Sequence, residues 1–293
     1  AWDIAIFSED RTEKVEGVES IAITETGPLR AAVLVTRRYR SSTIQQRICL
    51  YRNSKRIDFE TRVDWHEHHI LLKAAFPVSV MNPQATFDVQ WGNVQRATHR
   101  NTPWDMARFE TCAHKWADLS EGNYGVALLN DCKYGYDILD SVMRLSLLKS
   151  ATSPDPNADQ GEHLMTYSLF PHEGDWRDEV IPAAYDLNVP LILRAVGSAN
   201  GQAALGSLVA TSSPNAVIET VKQAEDGNGI IVRLYEDHRN RQRVTLTAGF
   251  PLAEARVTNL LEEDGESLPV NGNAVQFDLT PYQIITLRLI PQS

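Results

Sequence analysis

The ten residues Arg56-Ile57-Asp58-Phe59-Glu60-Thr61-Arg62-Val63-Asp64-Trp65 decide the fold class of this chain. Apolar or β-branched side chains stand at every second position, and charged side chains stand between them. Successive side chains of a β-strand point to opposite faces of the sheet, so this alternation is typical of a strand. We therefore predict a strand whose odd-numbered residues are buried and whose even-numbered residues face water.

Similar short segments recur along the chain, separated by turn residues at intervals of about ten residues, which is typical of a β-sandwich or barrel. The other predicted strands are residues 20–26, 31–40, 43–51, 125–129, 142–148, 163–170, 206–210, 230–235, 243–248 and 282–289. The sequence therefore predicts an all-β fold.

One segment, residues 175–187, has helical periodicity and a charged first turn, although Pro182 limits its length. We predict a short helix that crosses the sheet. The small, polar residues 197–201 precede a new series of strands. We therefore place a boundary there, between a large domain of residues 1–198 and a small domain of residues 199–293.

Composition excludes several function classes. Apolar residues make up 43% of the chain and the net charge is −10, which indicates a globular core and argues against a nucleic-acid partner. No apolar run approaches the roughly 18 to 20 residues that span a bilayer, so no membrane partner and no signal peptide are expected. The chain starts with Ala1 instead of Met, as expected for a processed protein or a fragment.

The three cysteines, Cys49, Cys112 and Cys132, are odd in number and lack paired spacing. We expect free thiols and a reducing, cytoplasmic location.

Two turn-rich loops, residues 96–105 and 150–163, are the main candidates for a site, because loops on rigid scaffolds collect binding groups. Trp104 offers an apolar face, and His99, Asn101 and Asp105 offer polar groups that match a sugar. The alternative for Trp104 is that it plugs a sheet edge. We predict that both loops lie together and line one carbohydrate cleft.

In the second loop, Asp159, Gln160 and His163 gather beside Glu162 and suggest acid–base chemistry or hydrogen bonds to a sugar. No motif supplies the paired carboxylates that glycoside hydrolysis requires, so we assign no catalytic residue. Lys133 is a further sugar-contact candidate in residues 131–137, which we interpret as a hairpin tip. A solvated turn is the alternative.

The run His66-Glu67-His68-His69 resembles a metal cluster, but its side chains alternate between two faces of a strand. At most two ligands would then converge and a third would have to come from elsewhere, so we interpret the run as polar residues at the end of a strand and expect no metal. Motifs for a nucleophile elbow, a dinucleotide site and a phosphate loop do not occur in the sequence.

Several longer motifs, in order, resemble the C-terminal β region of the family 38 glycoside hydrolases, which are α-mannosidases. They lie in residues 25–28, 56–61, 64–67, 71–77, 98–105, 108–110, 114–120, 124–135, 158–161, 225–227, 232–236 and 281–287. One departure is Gln283, where relatives usually carry Glu.

The resemblance implies a galactose-mutarotase-like supersandwich followed by a smaller β-sandwich. It also implies a partner, the N-terminal catalytic domain of the same polypeptide, which would hold zinc and the carboxylates for hydrolysis of terminal α-D-mannosides in mannose-containing glycans. No cofactor is expected in this chain itself. The sequence leaves open whether the protein forms a homo-oligomer.

Two alternatives remain from the sequence. One is a stand-alone isomerase of the aldose-epimerase type, which requires His99, Glu162 and His163 within hydrogen-bond reach of one ligand atom. The other is a carbohydrate-binding module without chemistry.

Overall fold

The computed structural model describes residues 3–195 and 206–292. They form two compact units, one of residues 3–89 and 94–190, and one of residues 90–93, 191–195 and 206–292. The predicted boundary at residues 198 and 199, in the segment 197–201, lies outside the described residues.

Strands dominate both units, as predicted. In chain order the first thirteen are β1 (Val18–Thr26), β2 (Arg30–Tyr39), β3 (Ser42–Tyr51), β4 (Ile57–Trp65), β5 (Leu72–Pro77), β6 (Gln84–Val89), β7 (Gly92–Ala97), β8 (Thr111–Cys112), β9 (Trp116–Ser120), β10 (Tyr124–Asn130), β11 (Gly135–Leu139), β12 (Val142–Leu148) and β13 (Gly161–Glu173). The later ones are β14 (Val209–Thr211), β15 (Ala216–Gln223), β16 (Ile230–Glu236), β17 (Gln242–Ala248), β18 (Leu252–Thr258), β19 (Asp264–Leu268), β20 (Val270–Asn271), β21 (Ala274–Leu279) and β22 (Ile284–Pro291). The helices are a 3₁₀ turn (Ile6–Glu9), α1 (Pro103–Met106) and α2 (Trp176–Asn188).

The first unit is a sandwich of two sheets. The larger has nine strands in the order β1-β2-β3-β4-β13-β10-β9-β6-β7, and the smaller has four in the order β5-β12-β11-β8. Buried side chains from both sheets, such as Val63, Leu128 and Leu145, meet in one hydrophobic core. Burying a side chain of this size stabilises the fold by about 1.5–3 kcal/mol.

The second unit is a smaller sandwich with sheets β14-β17-β21-β20 and β15-β16-β22-β18-β19. Its core contains Val232, Leu246, Phe277 and Leu287, among others. The predicted all-β fold, a large sandwich followed by a smaller one, is confirmed.

Strand β4 shows the predicted alternation clearly in residues 61–65, whereas its first half departs from it. Val63 and Trp65 are fully buried, and Arg62 and Asp64 are exposed. Asp58 is only 3% exposed although it lies on the face expected to be wet. Its carboxylate accepts from Arg56 at 2.7 Å and from the hydroxyl of Ser168 at 2.6 Å. These partners compensate for the burial of its charge.

Helix α2 forms where it was predicted. Asp175 is its N-cap and accepts from the backbone N–H of Arg177 at 3.0 Å. The helix continues six residues beyond Pro182, which lies on its exposed side. Pro182 therefore does not end the helix, because its ring faces solvent and the buried residues Val180, Ile181 and Ala184 anchor the opposite side.

Residues 131–137 are not the tip of a hairpin, contrary to the prediction. Strand β10, which ends at Asn130, belongs to the nine-stranded sheet, and β11, which begins at Gly135, belongs to the four-stranded sheet. Turn-forming residues occur in both situations, so composition did not distinguish them.

Register defines the two ends of the nine-stranded sheet. At the first end Trp65 pairs with Gly161, and at the second end Tyr124 pairs with Glu173 and Gly125 with Ser120.

Candidate functional site

The two predicted loops leave the nine-stranded sheet at opposite ends. The loop of residues 150–160 enters β13 at Gly161, at the first end. Residues 98–105 follow β7 at the second end, where Thr98 donates to the backbone carbonyls of Pro83 and Asn82. The side-chain amide of Asn82 in turn donates to Ser120 O. The two loops therefore start from opposite ends of the sheet, because antiparallel pairing reverses the chain direction at each strand. That they lie together and line one carbohydrate cleft stays a prediction.

The first end collects Lys133, Asp159, Gln160 and His163. Asp159 Oδ2 accepts the backbone N–H groups of Lys149 and Ser150 at 2.9 and 2.8 Å. Burial would raise the pKa of Asp159, but these two donors, with His163 and Lys133 nearby, hold it below its usual value. The carboxylate of Asp159 therefore connects the end of the loop of residues 150–160 to its start and stabilises the loop.

Gln160 and His163 also hold that loop. The side-chain amide of Gln160 donates to Glu67 O at 2.7 Å, and His163 Nε2 lies 3.0 Å from Asp159 O. Glu162 and His163 are consecutive in β13 and point to opposite faces of the sheet. The convergence with His99 that a stand-alone isomerase requires is therefore absent.

The other loop carries His99, Asn101, Trp104 and Asp105. Thr102 and Asp105 form a capping box on α1, and His99 Nδ1 lies 3.6 Å from Asp105 Oδ2. Trp104 is 77% exposed, so it is no plug of a sheet edge. That these residues, or those at the first end, contact a sugar stays a prediction.

The run of residues 66–69 follows the end of β4. Glu67 is buried and accepts from Ser41 N and Ser42 Oγ, and His66 pairs with Asp64 at 2.9 Å. Across residues 3–195 and 206–292, no group of three or more His, Cys, Asp or Glu side chains is placed to hold a metal. Zinc therefore has no fitting donor set in this part of the chain. No helix in the same residues is long and apolar enough to cross a membrane.

A polar pocket of about 570 Å³ lies at the second end of the nine-stranded sheet, on the face that carries α2. We call it the Asp118 pocket. It is lined by Asn82, Gln84, Thr86, Gln95, Asp118, Ser120, Glu121, Gly122, Gly174, Asp175, Trp176, Arg177 and Asp178. The opposite face carries the core, because Phe87, Ala117 and Leu119 alternate with the lining residues of β6 and β9.

The floor of the pocket is a buried ionic group. Asp118 accepts from His172 Nε2 at 2.7 Å and from the hydroxyl of Ser120. His172 Nδ1 faces the carbonyl of Glu173 at 3.3 Å, so both ring nitrogens face acceptors. Burial would lower the pKa of His172, but the hydrogen bond and charge of Asp118 outweigh it and raise that pKa.

Gly125 makes this arrangement possible. A Cβ at position 125 would lie 2.4 Å from His172 Cε1 and 2.8 Å from Ser120 Cβ. Only a residue without a side chain lets the imidazole lie against β10. Burial raises the pKa of Asp118, and His172 opposes that rise.

The start of α2 forms the rim. Trp176 stacks on Trp116 with ring centroids 5.5 Å apart, and the guanidinium of Arg177 lies 4.6 Å from the Trp176 ring centroid. Arg177 also pairs with Asp175, the N-cap of the helix.

Sequence reasoning missed this pocket. The signal was present in β9, where Trp116, Asp118 and Ser120 alternate with Ala117 and Leu119. The alternation indicates a polar face, but the partner His172 lies 54 residues away.

Comparison with known proteins assigns the chain to a family. The sequence model described as "Glycosyl hydrolases family 38 C-terminal domain" matches residues 1–157. This chain belongs to glycosyl hydrolase family 38. A second model, "Glycosyl hydrolases family 38 C-terminal beta sandwich domain", matches residues 215–287. The family 38 resemblance predicted from the motifs is confirmed, and the chain corresponds to the C-terminal part of the family's proteins.

Family 38 relatives are much longer than this chain. Alpha-mannosidase 2C1 of Homo sapiens is 40% identical over 300 residues, which cover 100% of this chain and 29% of that protein. Alpha-mannosidase G of Dictyostelium discoideum is 37% identical over 309 residues, with 99% and 28% covered. The chain therefore spans less than a third of the length of these relatives.

A solved structure shares the fold. The crystal structure of an alpha-mannosidase from Enterococcus faecalis V583 superposes with a TM-score of 0.76 at 19% identity, over 93% of this chain and 35% of that chain.

Proposed function

We propose that this chain is the carbohydrate-contacting C-terminal part of an α-mannosidase that hydrolyses terminal α-D-mannosides. One observation carries the proposal: the whole chain aligns at 40% identity with human Alpha-mannosidase 2C1, while it accounts for only 29% of that protein. The chemistry then belongs to the remaining part, an N-terminal catalytic domain of the same polypeptide.

The division of labour follows from the residues. A retaining glycosidase needs two carboxyl groups on either side of the scissile bond, and a zinc ion bound by the catalytic domain would supply Lewis-acid contacts to sugar hydroxyls. No group of three or more metal-ligating side chains occurs among the described residues of this chain, and we assign the zinc ligands to the catalytic domain. We assign to the chain the binding and shaping of the sugar site.

A cytoplasmic location belongs to the proposal as well. It is supported by Cys49, Cys112 and Cys132, all of which are free thiols.

The test compares two proteins: the product of the complete reading frame that contains this chain, and the chain alone. With zinc supplied, we expect the complete product to hydrolyse an aryl α-mannoside and the chain alone to be inactive. A complete product without that activity would overturn the mannosidase proposal. Turnover by the chain alone would overturn the division of labour.

A non-catalytic carbohydrate-binding module is the second candidate, favoured by the polar Asp118 pocket. The same experiment distinguishes it, because a non-catalytic module predicts that the complete product does not hydrolyse the aryl α-mannoside.

A further inference from the structure

We propose that the Asp118 pocket binds a neutral sugar. The class of ligand follows from the pocket, whereas the choice of a mannoside among neutral sugars rests on the proposed function.

The pocket has the size of a ligand site. Its volume of about 570 Å³ lies within the roughly 300–1,000 Å³ that is typical of small-molecule sites. A monosaccharide or disaccharide unit fits this space. Its lining residues belong to one unit of the fold and come from β6, β7, β9, the start of α2 and the turns next to these elements.

Charge selects against anionic ligands. Four of the lining residues carry carboxylates, namely Asp118, Glu121, Asp175 and Asp178. Among the described lining residues the only basic side chain is Arg177, which already pairs with Asp175. A phosphorylated or uronic sugar would meet net negative charge, so the pocket favours an uncharged one.

The lining offers the hydrogen bonds that sugar hydroxyls need. Gln84 and Gln95 lie on the neighbouring strands β6 and β7, and both are exposed. Within the described part of the chain, neither side-chain amide has a protein partner. Each amide presents two N–H donors and one acceptor, and Thr86 and Ser120 add hydroxyl groups. Adjacent hydroxyls of one ring would therefore find both donors and acceptors.

Asp118 supplies a fixed acceptor at the floor. His172 and Ser120 each bind one of its carboxylate oxygens, and every carboxylate oxygen has a further lone pair. Because these partners already hold the carboxylate in place, a ligand hydroxyl would not have to order it on binding.

Ring stacking contributes little in this pocket. One face of Trp176 is covered by Trp116, and the guanidinium of Arg177 also lies over the ring. Trp176 is only 4% exposed. The sugar is therefore held by hydrogen bonds, which makes the amides of Gln84 and Gln95 the decisive contacts.

The test is a titration of the ¹⁵N-labelled chain with methyl α-D-mannopyranoside, followed by NMR. We expect saturable shifts in the side-chain amides of Gln84 and Gln95 and in the indole N–H of Trp176. The double variant Gln84→Ala, Gln95→Ala should bind about tenfold more weakly, since it loses two hydrogen-bonding groups. Gln223→Ala, at an exposed strand position in β15, is the matched control and should bind like the wild type.

The unfolding temperature of each single variant, Gln84→Ala and Gln95→Ala, is measured as well. A variant that binds more weakly but unfolds at the wild-type temperature has lost contacts to the sugar, and one that unfolds earlier has lost folding stability. Absence of saturable shifts, shifts centred on Trp104, or unchanged affinity of the double variant would overturn the inference. Equal or tighter binding of mannose 6-phosphate would overturn the neutral class of ligand.

The readout is binding to the chain and does not involve hydrolysis. Sugar binding by the chain combined with an inactive complete product would refute only the proposed function. An active complete product whose chain does not bind the sugar in this pocket would refute only the present inference.

Discussion

Asp118 and His172 form a buried ion pair, with 2.7 Å between Asp118 Oδ1 and His172 Nε2 and with each residue no more than 2% exposed. The pair connects β9 to β13 across the intervening strand β10, and it lies beneath the polar pocket. A buried charge that loses its partner is costly, so this pair should influence both stability and its pH dependence.

The first prediction concerns Asp118→Asn. Because the pKa of His172 is raised in the folded state, the pair's stabilisation is fully present below the unfolded pKa of about 6.5 and is lost as the pH rises through the folded pKa. Asn keeps an acceptor but removes the charge, so the pKa of His172 should fall. At pH 6 the free energy of unfolding should decrease by about 2 kcal/mol. NMR titration of the His172 ring and urea unfolding at pH 6 and 8 measure both effects.

Glu179 also raises the pKa of His172 through its charge, so Glu179→Gln is the control and should lower that pKa less than Asp118→Asn does. An unchanged His172 titration in Asp118→Asn would show that the pair does not set it.

The second prediction compares two glycines near the pocket. Gly125→Ala places a Cβ 2.4 Å from His172 Cε1, and overpacking of this kind costs about 1–3 kcal/mol. Gly122→Ala is the control, because its Cβ would meet no heavy atom within 4 Å. Urea unfolding should show a lower free energy for Gly125→Ala alone, and equal losses in the two variants would contradict the proposed packing.

The third prediction contrasts Gln160→Ala with Trp104→Ala. The hydrogen bond from Gln160 to Glu67 O makes its loss cost about 1 kcal/mol. Trp104 is 77% exposed, and its removal should change stability by less than about 0.5 kcal/mol. Thermal unfolding of both variants measures the difference, and a large loss for Trp104→Ala would mean that its ring is buried.

The fourth prediction concerns the thiols. Cys112 and Cys132 are exposed, whereas Cys49 is 0% exposed. Burial raises the pKa of Cys49, and burial together with Asp131 raises the pKa of Cys132 to about 11. Without reductant, a thiol reagent should modify exposed Cys112 first, Cys132 slowly and Cys49 only after denaturation, when all three react, because only the thiolate reacts. A denatured count of one would reveal a disulfide.

The fifth prediction concerns the departure at position 283. Gln283 Oε1 accepts from the backbone N–H and the hydroxyl of Thr280 at 2.9 and 3.0 Å. Glu supplies an equivalent acceptor, so Gln283→Glu should leave stability nearly unchanged. Gln283→Ala removes both bonds and should cost about 1 kcal/mol. Equal unfolding temperatures for the two variants would contradict this role.

Local patterns in the sequence predicted the most regular elements, whereas strands such as β6, β9 and β18 were not predicted. The alternation in residues 56–65 predicted β4, and the charged first turn that begins at Asp175 predicted α2. Each of these patterns depends only on residues that are close together in the sequence. The ordered motifs predicted the family. Where local chemistry had two structural meanings, as in residues 131–137, the sequence did not distinguish them.

Strand order and register decided the rest. They place Gly161 at one end of the nine-stranded sheet and Ala97, which ends β7, at the other, so the two predicted loops leave the sheet at opposite ends. They also bring His172 next to Asp118, although the two residues are 54 positions apart and no local pattern in the sequence predicts the pair. Which strands become neighbours depends on how completely the apolar face of the whole sheet is buried. The free energy gained by this burial arises only when the sandwich is assembled, so no single segment of the sequence specifies it.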